Sequence, residues 1–189
     1  MSNTLAIAAV TATLRYLLHE ALRAEPDAVS GAHVTTHHPA RLTAANTAAT
    51  GINVFLYEAS LDSAARHHEV PIRSPGQEIP ERLPAAVDLQ YLLSCYGNDD
   101  SLDPERHLAR AIDAIVSNPI LSAEVIAAAI AAYAAEPTAF LPHADLADQV
   151  ERVRLTIRTL TITETSLLWS IIGTPYLPSI VCTASAVLL

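Results

Sequence analysis

Ala85-Ala86-Val87-Asp88-Leu89-Gln90-Tyr91-Leu92-Leu93-Ser94-Cys95-Tyr96 is the stretch on which the fold turns. Its odd positions Val87, Leu89, Tyr91, Leu93 and Cys95 are apolar, and Asp88, Gln90 and Ser94 alternate with them. A period of two sustained over that length specifies a strand. The cluster Tyr96-Gly97-Asn98-Asp99-Asp100 closes it with a turn.

Working upstream, Ile52-Asn53-Val54-Phe55-Leu56-Tyr57 is dense in β-branched and aromatic residues and follows Gly51. It reads as a strand with both faces largely covered. Between the two strands, Asp62 to Arg82 carries Pro71, Pro75, Gly76 and Pro80, which makes it a loop or an edge strand broken by prolines. Val29 to His37 reads as a short strand, and His38-Pro39 turns it into a polar loop that runs to Gly51. At the start of the chain, residues 3 to 24 place Val10, Leu14, Leu17, Leu18 and Leu22 on one stripe, an amphipathic helix that ends before Pro26.

Downstream, Asp103-Pro104 combines a residue able to cap with a proline suited to the first helical position. Leu108, Ile112, Ile115 and Val116 are the expected buried face of that helix. Asn118-Pro119 stops it, and Ser122 with Glu124 opens a second helix to about Ala135. Val150 to Ile157 sets Val153, Leu155 and Ile157 against Arg152, Arg154 and Thr156, so a strand there shows its arginines on one face, and Arg158 extends the row. Thr161-Ile162-Thr163-Glu164 fits a capping box, opening a helix through Leu167, Leu168, Trp169 and Ile172. Ile180 to Leu189 is an apolar, β-rich run with no polar tail. It belongs in the middle of a sheet, against a neighbouring subunit, or ahead of further chain. These elements predict an α/β fold, a mixed sheet covered by helices on one or both faces, as a single domain over residues 1–189.

Composition narrows the function. The 189 residues carry 20 acidic and 11 basic side chains, all of the latter arginine, for a formal net charge of −9. Without lysine there is no P-loop lysine and no Schiff base, and an acidic chain repels a phosphate backbone. Cys95 and Cys182 lie in strand-like apolar runs and are expected to be reduced, which suits synthesis in the cytoplasm. The N-terminus has no basic region, and Arg15 and His19 interrupt its apolar stretch, so it does not read as a signal peptide. The apolar run Val125 to Ala135 is too short to cross a bilayer, which takes about 20 residues.

Four phrases, in order and spanning nearly the whole chain, carry a resemblance. They are Ser2 to Leu14; Asn53-Val54-Phe55-Leu56-Tyr57 with Arg66 after it; Asp88-Leu89-Gln90-Tyr91-Leu92-Leu93 closing on Tyr96-Gly97; and Gln149-Val150-Glu151-Arg152-Val153-Arg154-Leu155-Thr156 followed by Glu164, Ser166, Leu168 and Trp169. Together they resemble the N-terminal domain of cap, or tail-terminator, proteins of extracellular contractile injection systems. The resemblance implies a tail-terminator-like α/β fold that assembles as a ring, expected to be a hexamer, on the last layer of inner tube and sheath. Its expected partners are its own copies, the inner tube protein and the sheath protein, with no nucleic acid and no membrane insertion. It implies a chain made in the cytoplasm and built into the particle, and no chemistry. Gly173-Thr174-Pro175-Tyr176-Leu177-Pro178 departs from the family pattern, which carries an arginine after the tyrosine, and Cys182 stands where a larger residue is expected.

No catalytic, cofactor or metal site is expected from the residues. The alternative is a small metal-dependent hydrolase or ligand-binding domain built on the histidine-rich loops His37-His38 and His67-His68. Adjacent histidines on a strand point to opposite faces, however, and no H-E-x-x-H spacing occurs. Ser60, Ser63 and Ser101 sit in no nucleophile elbow, and five glycines without a G-x-G pair make no phosphate cradle. Arg152, Arg154 and Arg158 are the candidate subunit interface, their forked guanidinium groups suited to carboxylates on a partner. The other reading is a solvated face balanced by Glu151, Asp148 and Asp145. Trp169, Phe55 and Tyr57 are expected in the core.

Overall fold

The computed structural model describes residues 4–24, 29–45, 49–61, 85–135, 137–149 and 151–188. In chain order these form helix α1 (Ala6–Arg23), strand β1 (His33–Thr35), helix α2 (Ala40–Ala45), strands β2 (Gly51–Leu61) and β3 (Ala86–Tyr96), and a 3-10 turn (Asp99–Ser101). Helices α3 (Asp103–Ser117) and α4 (Ala123–Ala132) follow, then two further 3-10 turns, strand β4 (Arg154–Arg158), helix α5 (Ile162–Ile172) and strand β5 (Ser179–Leu188). One mixed sheet runs β1-β2-β3-β5-β4, with β1 parallel to β2 and the other pairs antiparallel. The last strand therefore enters between β3 and β4, which fits its largely apolar sequence and lack of charge: both its neighbours are strands.

The strand alternation sorts side chains between two cores. Ile52 and Val54 of β2, Val87, Leu89, Tyr91, Leu93 and Cys95 of β3, and Cys182 and Ala184 of β5 join the larger core with α1, α3 and α4. Leu92 and Val181 point the other way, into a smaller core under α5. In β5 a bulge opposite Asp88 inserts one residue, and Ala186 takes φ 63 there. The extra residue shifts the alternation by one, so that Val187 returns to the larger core. Gln149, itself buried, secures this bulge, accepting from the Leu188 amide and donating to the Ala186 carbonyl.

Helix α1 matches its predicted stripe: Val10, Leu14, Leu17, Leu18 and Leu22 are all buried. At about 1.5–3 kcal/mol for each large aliphatic side chain, that stripe ties α1 firmly to the sheet. β1 is the weakest strand by length and is held by one side chain instead. Asn53, fully buried, accepts from the Thr35 hydroxyl at 2.8 Å and the His37 amide at 3.0 Å, and donates to the His37 carbonyl at 2.9 Å.

Several expectations are corrected. The predicted loop before Gly51 contains α2. β3 is buried on both faces along most of its length, Leu92 of its even side packing with Trp169 and Ile172 of α5. Asp103 does not cap α3: Leu102 takes that place at φ 55, with no side-chain cap, and Asp103 is the first helical residue. The Asp103 carboxylate reaches back instead, accepting from the Ser101 hydroxyl and the Asn98 amide. The buried face of α3 is Asp103, Pro104, His107, Ala111, Ala114 and Ile115, while Ile112 and Val116 are exposed. α4 ends at Ala132, short of Ala135. The proline-rich segment Asp62 to Arg82 lies outside the described residues.

Candidate assembly surface

Helix α5 lies on the face of the sheet opposite α1, α3 and α4, and its start is built as the sequence predicts. The Thr161 hydroxyl accepts from the Glu164 amide at 3.3 Å, and Glu164 Oε2 accepts from the Thr161 amide at 2.8 Å, a complete capping box. These bonds from Thr161 hold the Glu164 carboxyl below its ordinary pKa, burial opposing and Arg158 assisting. Gly173 ends the helix in the left-handed conformation that a helix stop favours.

A polar seam runs from this helix start across three strands. Arg158 at the end of β4 donates to Glu164 Oε1 at 3.3 Å and to Gln90 Oε1 of β3 at 2.8 Å. Tyr57 of β2 donates to the same Gln90 oxygen at 2.9 Å. Burial raises the Tyr57 pKa, with the Arg158 charge pulling the other way. The seam thus engages Arg158, one of the predicted interface arginines, in bonds within the chain while leaving it exposed. Gln90, polar in the middle of a central strand, was its visible signal in the sequence.

The outer side of α5 mixes large apolar residues with the exposed polar residues Thr163, Glu164, Ser166 and Ser170. Trp169 and Ile172 are buried, Trp169 meeting Tyr176 edge-on at 5.6 Å, but Ile162, Leu167 and Ile171 are 88%, 62% and 75% exposed. Between α5 and β2 runs an open groove of about 510 Å³, lined among others by Phe55, Tyr57, Glu58, Leu167, Leu168 and Ile171. Phe55 and Tyr57 therefore serve partly as groove wall, where the sequence placed them in the core.

The far edge of the sheet is β4. Its first half is covered by the segment before α4, where Leu155 N–H donates to the Pro119 carbonyl at 2.8 Å and Leu121 N–H to the Val153 carbonyl at 2.9 Å. By strand alternation the backbone N–H and C=O of Ile157 face the same side, beyond that cover. Arg152 precedes the strand and donates to the Ala147 carbonyl, whereas Arg154 opens it and is exposed. Arg154, Thr156 and Arg158 alternate on the α5 side, with Val153 and Leu155 in the larger core.

Of the histidine-rich loops, only His37 and His38 lie among the described residues. His38 stacks edge-on against Phe55 at 5.0 Å, and its Nδ1 accepts from the Ala40 amide. His67 and His68 lie outside the described residues. Among the described residues no three metal-binding side chains converge, and no helix is long and apolar enough to cross a membrane.

Comparisons with known proteins place this architecture. The fold is similar to the PVC sheath/tube terminator of an extracellular contractile injection system, solved in the extended state, with TM-score 0.53 and 12% identity over 94% of this chain and 56% of that one. It is also similar to the tube-terminating cap of the anti-feeding prophage, with TM-score 0.52 and 13% identity over 92% of this chain and 53% of that one. The chain thus spans just over half the length of each. No curated protein sequence matches it significantly. The family model described as the Pvc16 N-terminal domain matches residues 9–189, nearly the whole sequence, and the chain belongs to that family.

Proposed function

We propose that this chain is a structural cap of a contractile injection particle, ending the inner tube and sheath as a closed ring, with six copies matching a six-fold tube. The observation that carries the reading is the shared fold: more than nine-tenths of the chain follows two structures described as a sheath/tube terminator and a tube-terminating cap. The role is geometric. A subunit that seats on the last layer and presents a surface unable to template another stops the polymer without reacting with it. Copies in a ring meet head to tail, so each needs two unlike surfaces. The exposed apolar residues of α5 and the open β4 edge supply two such surfaces. Arg152 and Arg154 belong on this reading to the subunit contact, with Arg158 shared between that contact and the polar seam.

Electron microscopy of particles from cells lacking this protein tests the proposal. Overlong or disordered tubes are the expected result. Particles of normal length with a closed end would overturn it.

A further inference from the structure

A pocket of about 420 Å³ lies between helix α1 and strand β1, with Tyr133 at the end of α4 beside it. Arg15, His19 and Arg23 line it, and their spacing of four residues sets them in a row along α1. Strand β1 and the residues just after it form the opposite wall. Glu20 is the one carboxylate among the described residues that line the pocket, and it lies against His19 at 3.5 Å. In a chain of formal net charge −9, a pair of arginines around one pocket is a local reversal of sign.

Arg15 is held in place before any ligand arrives. β1 is the margin of the sheet, and the His33 N–H donates inward to the Thr50 carbonyl at 3.2 Å, so by alternation the Val34 carbonyl faces outward. Arg15 Nε donates to that carbonyl at 3.3 Å, and its guanidinium carbon lies 4.6 Å from the centre of the Tyr133 ring. One bond and one aromatic face thus fix the plane of the guanidinium. Its Nη groups have no hydrogen bond or ion pair among the described residues, and neither has the Arg23 side chain. A guanidinium oriented in this way loses little freedom on binding, and its paired N–H groups match the oxygens of a carboxylate.

We infer that this pocket binds an acidic segment of a partner protein, Arg15 taking one carboxylate on its Nη groups and Arg23 taking a second. The span fits such a segment: eight residues of helix separate the arginines, about 12 Å, which about four residues of extended chain cover. A singly charged carboxylate suits the site better than a phosphate, whose greater charge Glu20 and the acidic chain as a whole repel. The inference concerns the β1 margin, which the ring reading does not use. Peptide binding and particle length are measured separately, so either claim can fail alone.

Fluorescence anisotropy of the whole protein with a labelled oligoglutamate peptide tests it, with oligoglutamine as the control. At low salt the glutamate peptide is expected to bind and the glutamine peptide not. Arg15→Gln should weaken binding at least tenfold, the loss of a charge-assisted pair. Arg23→Gln, at an exposed position, should weaken it severalfold and carries the test if Arg15→Gln does not fold. Arg41→Gln, the same charge change at an exposed position on α2, should leave binding unaltered. An equal loss in Arg41→Gln would mean that only net charge is read and would overturn the site, as would an unaltered protein that binds neither peptide. Tighter binding of inorganic phosphate, read by displacement of the peptide, would make this a small-anion site and overturn the protein partner. Glu25, Asp27 and Glu136 follow Arg23 and Tyr133 in sequence and lie outside the described residues. Binding that appears only when all of them are replaced by their amides would mean that the chain's own carboxylates fill the pocket, and would equally overturn the inference.

Discussion

His107 Nε2 lies 2.8 Å from the Thr50 hydroxyl, both buried beneath the turn that leads from β3 into α3. Asp103, one helical turn before His107, also faces Thr50, at 3.5 Å, and Gly97 closes the space: a Cβ there would fall 2.6 Å from both Asp103 Cβ and Thr50 Oγ1. This knot joins the starts of β2 and α3 without involving the assembly surface.

The knot makes stability depend on pH. Burial lowers the His107 pKa below its ordinary 6.5, against the raising effect of Asp103. The unfolded chain therefore takes up this proton first as pH falls. The stability His107 contributes is complete above about 6.5 and is lost as pH drops through the folded value. Burial alone would raise the Asp103 pKa, but hydrogen bonds from Ser101 and Asn98, with His107 and Arg106, hold it below 3.8, so its contribution disappears only in more acidic solution. Urea unfolding at pH 7.5 and 5.5 should show a lower midpoint at pH 5.5, and His107→Gln should shrink that difference. An unchanged difference in the variant would place the titration elsewhere.

Gly51 pairs with His33 at the start of the parallel β1–β2 ladder, at φ 151. An added Cβ would lie 1.9 Å from the His33 carbonyl oxygen, a backbone atom that cannot swing aside. Gly51→Ala should therefore cost at least about 2 kcal/mol, the range of changes that combine overlap with an unfavourable backbone angle. Denaturant unfolding with an unchanged slope measures it. A loss under about 0.5 kcal/mol would mean that β1 separates from β2 at little cost.

Thr161→Ala removes the hydroxyl that satisfies the Glu164 amide, at a typical cost of about 1 kcal/mol. Because α5 is packed on few side chains, the loss should appear first as faster hydrogen exchange in α5, with α1 unaffected. Uniform acceleration throughout the chain would show that α5 opens only with the whole fold.

Much of this architecture was legible in the sequence because its determinants are local. The α1 stripe, the Thr161–Glu164 box and the turn after Tyr96 each require only neighbouring residues, and each is present as read. The family resemblance, too, rested on phrases whose residues proved structural: Asn53 secures β1, and Gln149 secures the β5 bulge. What was illegible depends on partners distant in sequence. Ile112 and Val116 fit a helical stripe as well as Ala111, Ala114 and Ile115 do, and hydropathy favours the larger side chains. Only the approach of α1 and the sheet selects the alanine side, which allows closer packing. Gln90 marks a polar position in a central strand, but its partners Tyr57 and Arg158 lie 33 and 68 residues away and cannot be read from its neighbours.

Cys95 and Cys182 are opposed to chain neighbours deep in the central strands, and burial pushes both thiols up to about 12. A thiolate is the reacting species, so neither should react with a disulfide reagent at pH 8 while the protein is folded. Both should react once it is unfolded. Rapid modification of the native protein would show that β3 and β5 separate readily, contrary to their place at the centre of the sheet.

The arginine row separates stability from assembly. Arg158 is bound within the chain to Gln90 and Glu164, so Arg158→Ala should lower the stability of the subunit itself, by no more than about 1 kcal/mol given its exposure. Among the described residues Arg154 has no such bond, and Arg152 donates to the Ala147 carbonyl and lies near Glu124. Arg152→Glu with Arg154→Glu should therefore leave the unfolding midpoint nearly unchanged while reducing co-sedimentation with further copies, tube or sheath. Higher salt should mimic the effect in the unaltered protein, because exposed charges are screened beyond about 10 Å at 0.1 M. A doubly reversed protein that assembles as before would assign the row to solvent, balanced by Glu151 and its neighbours.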